Sequence, residues 1–355
     1  MVYETRVFCF TTMRWHLVIL FAFIVFAGLA TAAPLQIDAI NQAQLHLPLP
    51  AKERINPVLI KAQVLLDRAH FSPGEIDGKF GDNFKKALRA FAIAQGLNST
   101  GELSDEVWQK LTATSEEPVV TKYTISNDDV RGPFVKSIPT KLEKMKDLPV
   151  LAYTSAREKI AEEFHMSQEL LSALNPKQKF ETANETIMVA NVEQNDAPKK
   201  ATRVEVDKSA QVLKVFGRDQ QLLAIYPVTV GSTEKPAPSG RLKVTDISKN
   251  PTYRYNPKYA FKGVRATKPF TIKPGPNNPV GLVWIGLSGE GFGIHGTPDP
   301  SKVSKTASHG CIRLTNWDAL RVASAVAKGT PVDFSGDEEI ARQSQAEAPR
   351  RRKYR

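Results

Sequence analysis

IHGTPDPSKVSKTASHGCIRLTN, residues 294–316, sets two histidines and one cysteine between a strand and a helix start. FGIHG (292–296) reads as a strand that ends at His295. TPDPS follows as a proline-rich turn, and CIRL is a short apolar run. Thr315 and Asp318 form a capping-box pair opening the helix NWDALRVASAVAKG, which Gly329 ends. Residues two apart on a strand share a face, so an extended 308–312 puts His309 and Cys311 together. His295 reaches the same place from an adjacent strand.

Around this stretch, residues 201–334 are strand-rich. TRVEVD, QVLKVFG and LLAIYPVTVG alternate or run apolar between turns, and PAPSGRLKVTDI gives a turn and another strand. Residues 249–280 read as a long loop carrying NPTYRYNP and KPGPNNP. VGLVWIGL adds a strand before FGIHG, and TPVDF is the last one. The expectation is a mainly β domain with one helix packed on it. The tail, 335–355, is poor in apolar residues and is expected to be disordered.

Upstream, NPVLIKAQVLLDRAHF and FKKALRAFAIAQ carry apolar residues at helical spacing, joined by SPGEIDGKFGDN. Ser104 caps a third helix, with Asp105 and Glu106 in its first turn. Helix–IDGKFGDN–helix resembles the small three-helix peptidoglycan-binding domain over 55–113, although Asp77, Gly78 and Gly81 could equally serve only to turn the chain. Residues 114–150 read as a polar connector with some strand. Beyond it, 156–164 forms a helix with Ile160, Ala161 and Phe164 on one face. Ser167 caps a second helix, and TIMVANV is a closing strand. This resembles a LysM module, a β-α-α-β glycan binder, within 120–195. His165 reads as a packing residue.

The first segment differs in kind. Arg6 and Arg14 precede an apolar run over 17–29, and Ala30-Thr31-Ala32 supplies an A-x-A pattern, the layout of a signal peptide spanning 1–32. The run is shorter than the ~20 residues a spanning helix needs. Export would remove Cys9 and leave Cys311 without an intramolecular partner, the mark of a reactive thiol or an intermolecular bridge. The net charge of +11 concentrates in 201–334, with 19 Lys/Arg against 9 Asp/Glu. Outside the cytoplasm this favours an anionic wall polymer or lipid headgroups over nucleic acid.

A thiol with an ordinary pKa of about 8.5 is mostly protonated near neutrality, and an imidazole that takes its proton makes it a nucleophile. His295 and His309 are the candidates. Gly310 leaves the neighbouring backbone open, so the amides of Gly310 and Cys311 can receive an oxyanion. Arg313, on the same face, offers a planar fork for a carboxylate. The same His295, His309 and Cys311 could instead ligate zinc, but no carboxylate base stands beside them.

The run from Ile294 to Asn316, its histidine-to-cysteine spacing, PAPSG (236–240) and NPVG (278–281) strongly resemble the L,D-transpeptidase (YkuD-type) catalytic domain over 201–334. The resemblance implies a β-sandwich-like catalytic fold, so that the whole chain is multidomain. It implies acyl transfer on peptidoglycan through a cysteine thioester, without metal or organic cofactor. Cys311 would be the nucleophile and His295 the base, oriented by the Gly296 carbonyl. His309, Gly310 and the Cys311 amide would line the oxyanion site, and Arg313 and Ser308 would contact substrate. The donor would be a stem tetrapeptide that loses D-alanine. The acceptor would be the amine of a second stem or of an outer-membrane lipoprotein, placing the protein in the periplasm or cell wall. Carbapenems typically acylate such a thiol. Water as acceptor would make an L,D-carboxypeptidase, and a dead site would leave a wall-binding protein.

Overall fold

The computed structural model describes residues 1, 35–49, 54–98, 100–192, 198–231, 235–259, 264–306 and 310–337. The expected signal segment, Ser308, His309 and most of the tail lie outside them. Among the described residues, no helix is long and apolar enough to cross a membrane.

The chain opens with α1 (Ile37–Asn41), α2 (Pro57–Arg68), α3 (Asp82–Ala94) and α4 (Asp105–Thr112). Asn56 accepts from the Val58 amide and Pro57 fills the first helical position, so α2 starts where proline costs no hydrogen bond. Ser104 caps α4 through the Val107 amide, as the sequence predicts. Buried Gln63 organises the IDGKFGDN loop: its Oε1 takes the Asp77 and Gly78 amides at 3.0 and 2.7 Å, and its Nε2 donates to Asp77 Oδ1 at 2.8 Å. Asp77 and Gly78 are thereby occupied in shaping the turn.

Next come β1 (Val120–Thr124), α5 (Asn127–Arg131), α6 (Leu142–Met145), α7 (Ala156–Glu163), α8 (Gln168–Leu174) and β2 (Thr186–Ala190). β1 and β2 pair antiparallel, Val120 opposite Ala190. The strand that opens this unit thus lies ahead of α5, inside the expected connector, and residues 151–154 form no strand. Ser155 and Ser167 cap α7 and α8. One apolar core joins both upstream segments, with Leu65, Leu88 and Phe91 packed in the same cluster as Ile160, Leu170 and Ile187. Val212 and Ile225 of the β domain reach into it.

The rest is β3 (Arg203–Asp207), β4 (Val212–Phe216), β5 (Leu222–Pro227), β6 (Gly240–Lys249), β7 (Tyr253–Tyr255), β8 (Phe270–Ile272), β9 (Val283–Leu287), β10 (Gly293–His295), β11 (Ile312–Arg313), α9 (Asn316–Ala325) and β12 (Pro331–Ser335). Eight strands run in the order β11-β10-β9-β6-β12-β3-β4-β5. Long β6 is shared by two half-sheets: its first residues pair with β12, and those from Val244 onward pair with β9, across a bulge. A further bridge, Thr229 to Arg313, joins the run past β5 to β11, so the two ends of the order meet. Alternate residues Val204 and Val206 of β3, Leu213 and Val215 of β4, and Ile285 of β9 fill the interior beside Tyr226.

Three expectations need correction. The 249–280 loop contains an antiparallel hairpin, β7 with β8. Thr315 accepts from the Asp318 amide, but the Asp318 carboxylate takes a hydrogen bond from Ser72 at 2.9 Å, so that contact across the molecule replaces the return half of the box. The helix ends at Ala325, ahead of Gly329, because Val326 is already extended.

The upstream helices and the β domain meet at a buried charged cluster. Asp67 on α2 pairs with Arg321 on α9 at 3.0 Å and with His165 Nδ1 at 3.1 Å. The His165 ring stacks on Trp317, centroids 5.2 Å apart. Burial alone would raise the Asp67 carboxyl, yet the Arg321 guanidinium and His165 hold it well below the usual carboxylate range. Burial raises Asp318 to about 7, against the opposing pull of Arg321.

Candidate active site

Strand register assembles the site. β10 and β11 pair parallel, Ile294 opposite Ile312 and His295 opposite Arg313. Cys311 stands immediately before β11, two residues ahead of Arg313, whose charge acts on both the thiol and the imidazole. The sulfur lies beside the Gly293 amide, and Sγ donates a long contact to the Gly291 carbonyl at 3.6 Å. Gly310 has φ +105°, a conformation that favours glycine.

His295 is buried, and its Nδ1 bonds the Gly296 carbonyl at 2.6 Å, the contact the resemblance implies. A carbonyl only accepts, so Nδ1 carries the proton and Nε2 presents a lone pair. The ring stacks on Trp284 of β9, its partner across the strand pair, centroids 5.6 Å apart. Gly293 makes room: a Cβ there would collide with the Trp284 indole.

Burial, with the Arg313 charge adding, lowers His295 to about 3, against the Gly296 carbonyl. Burial raises the Cys311 thiol, while the Gly293 amide and Arg313 oppose it. Both directions favour the neutral thiol and neutral imidazole at rest. The sulfur is therefore not held deprotonated in waiting, as the simplest reading of a Cys–His pair supposes.

Arg313 is partly buried, and its backbone is fixed by exchange with Thr229 at 2.9 and 3.0 Å. Its Nε has no hydrogen-bond partner among the described residues. Burial lowers its pKa, with Cys311 and Asp299 opposing. The two sequence motifs in the loops serve as walls. In PAPSG, Lys208 Nζ donates to the Pro238 carbonyl at 3.0 Å, and the Pro236 carbonyl lies close to Gly310. In NPVG, Gly281 has φ +61° and lies flush against Gly296, where a Cβ would strike the Asn316 side chain.

Sequence reasoning missed two neighbours. Tyr253, on β7, has its phenol raised by burial and further by the Cys311 sulfur, so the hairpin brings a hydroxyl within electrostatic reach of the thiol. Its only signal was an aromatic pair, YRY, in a supposed loop. Asn316 reads as a helix-start residue, yet it touches both Gly281 and Gly296. Among the described residues, no cluster of three His, Cys, Asp or Glu could hold a metal.

The family described as "L,D-transpeptidase catalytic domain" matches residues 201–334, and the "Putative peptidoglycan binding domain" matches 56–111. "Putative L,D-transpeptidase YkuD" of Bacillus licheniformis is 28% identical over 180 residues, 50% of this chain and 92% of that protein. "Putative L,D-transpeptidase YqjB" of Bacillus subtilis is 33% identical over 148 residues, 39% of this chain and 76% of that protein. Among solved structures, the L,D-transpeptidase from Mycobacterium smegmatis matches at 18% identity and TM-score 0.31, over 42% of this chain and 65% of that one. The 33% identity to YqjB over three quarters of that protein, with the family match over 201–334, makes this chain a member of the L,D-transpeptidase family.

Proposed function

We propose that Cys311 is the nucleophile and His295 the base of an L,D-transpeptidase acting on the stem peptides of peptidoglycan. The observation that carries this reading is the register of β10 on β11, with the imidazole tautomer fixed by Gly296. Sγ attacks the carbonyl carbon at the L-centre before the terminal D-residue. Its proton passes to His295 Nε2 in the same event, since neither group is charged beforehand. The amides of Gly310 and Cys311 receive the oxyanion. Collapse breaks the peptide C–N bond, the leaving D-alanine amine takes the proton from His295, and a thioester remains. An acceptor amine then attacks the thioester, His295 takes its proton, and that proton returns to the departing sulfur.

Arg313, with a buried Nε lacking a described partner, binds a donor carboxylate. Ser308 and His309 complete the loop ahead of the nucleophile, His309 on the oxyanion side. The acceptor is the amine of a second stem or of an outer-membrane lipoprotein. The helical module over 55–113 and the β-α-α-β unit within 120–195, read as LysM-like, hold the wall strand, and the segment 1–32 exports the chain.

Incubation with purified sacculi and mass spectrometry of the released muropeptides tests this. The wild type should yield L,D-linked dimers and free D-alanine, and Cys311→Ala neither. A carbapenem should add its mass to the wild type alone. Unchanged muropeptides together with no adduct would leave a wall-binding protein without chemistry.

A further inference from the structure

Two glutamates one turn apart on α7, Glu158 and Glu162, are buried against the β domain. Each meets an asparagine. Asn277 Nδ2 donates to Glu158 Oε1 at 2.8 Å, and Asn316 Nδ2 donates to Glu162 Oε2 at 2.9 Å. Among the described residues neither glutamate forms an ion pair. Two buried carboxyls without a cation are costly, and a purely structural seam is more stable with apolar residues.

Asn316 explains the arrangement. Its Nδ2 also reaches the Pro276 carbonyl at 3.2 Å, and its Oδ1 accepts from the Leu282 amide at 3.1 Å. That same oxygen rests against Gly281 and Gly296, closely enough that a Cβ on either would collide with it. An amide side chain can turn over and exchange its donor and acceptor ends. The Leu282 amide and the Pro276 carbonyl set which end is which, and Glu162 gives Nδ2 a second acceptor that holds the side chain in place with Oδ1 on the glycines. The Gly296 peptide so braced is the one whose carbonyl fixes His295 Nδ1.

We infer that Glu162 is a positioning residue for His295, acting from α7 through the Asn316 amide and the Gly296 peptide. The inference rests on the reading of His295 as the base. It makes α7, which lies outside residues 201–334, part of the apparatus that aims the imidazole. The titratable groups facing Glu162 are Glu158 on its own helix, Tyr153 from the segment before α7, and Glu75 from the loop between α2 and α3. Burial pushes Glu162 up to about 8; the Asn316 hydrogen bond opposes this, while Glu158 and Glu75 add to it. The Tyr153 hydroxyl, 3.5 Å away, opposes weakly.

The test measures kcat and KM with a soluble tetrapeptide donor and an amine acceptor, from pH 6 to 9.5, in the full chain. Wild-type kcat should inflect near pH 8. Glu162→Gln, which still accepts from Asn316, should keep kcat within about two-fold at pH 7 and lose the inflection. Glu158→Gln should move the inflection to lower pH, because a like charge facing Glu162 is gone. Asn316→Ala should lower kcat ~100-fold with KM nearly unchanged, the size expected of a misaimed catalytic group. His295→Ala serves as the reference. If it retains wild-type kcat, the base assignment itself fails. If it is inactive while the Glu162→Gln profile matches the wild type and Asn316→Ala keeps kcat, the positioning role alone is overturned.

Discussion

Two polar seams join the upstream helices to the β domain, and they are built on opposite principles. At the first, Asp67 meets the full charge of Arg321, with His165 at its side. At the second, Glu158 and Glu162 meet neutral groups, chiefly the amides of Asn277 and Asn316, with the Thr154 amide on Glu158 and the Tyr153 hydroxyl near Glu162. The paired carboxylate is held ionised and the amide-bound Glu162 is pushed toward its neutral form, although both are buried. Burial therefore does not decide the charge state; the partner does. The first seam is a lock whose stability depends on charge. The second transmits orientation to Gly296 and works at low charge.

The largest effect should come from breaking the lock. Asp67→Ala removes the carboxylate that Arg321 meets at 3.0 Å in the buried seam, and urea unfolding should show a loss of about 3–5 kcal/mol. A loss near that of an ordinary surface substitution would erase the distinction between the seams. Next in size is the dependence of stability on pH. The depressed Asp67 pKa contributes stability that is present above the ordinary carboxylate range and is lost as pH falls toward its folded value. Glu162 and Asp318, raised to about 8 and about 7, hold protons in the folded state that the unfolded chain releases near pH 4. Stability should therefore fall as pH rises from about 4 toward 8, and Tm should be higher at pH 5.5 than at pH 8.5. Glu162→Gln should flatten the alkaline part of that decline, and Asp67→Asn should flatten the acid limb. The smallest effect is spectroscopic. With the thiol raised, the thiolate absorbance of Cys311 near 240 nm should grow only above about pH 8.5. Arg313→Gln, which removes a favourable charge, should move it higher still.

Much of the β domain was legible because its signals are local. Alternation in TRVEVD and QVLKVFG, and the Thr315 cap, each depend on a few neighbouring residues. The adjacency of β10 and β11 was legible from one strand end and one short apolar run. What stayed hidden was set by distant partners. β1 was invisible as the mate of β2 because its register partner, Ala190, lies far along the chain. Asp318 fits a local box on paper, but Ser72 offers its carboxylate a better-buried donor. Glu162 looks like one more polar residue of a charged helix until Asn316 is brought against it. Tyr253 reads as loop because its three-residue strand carries too little periodicity to register.

The bridge from Thr229 to Arg313 has a bearing on how any extended chain can approach. β11 is only two residues long, flanked by β10 on one side and by Thr229 on the other. At the far strand, Ser72 donates to the Ile225 carbonyl at 2.9 Å, and the Ile225 amide donates to His70 at 2.9 Å. Among the described residues, β11 is flanked on both sides and Ile225 of β5 is already bridged, so those backbone groups are closed to an incoming peptide.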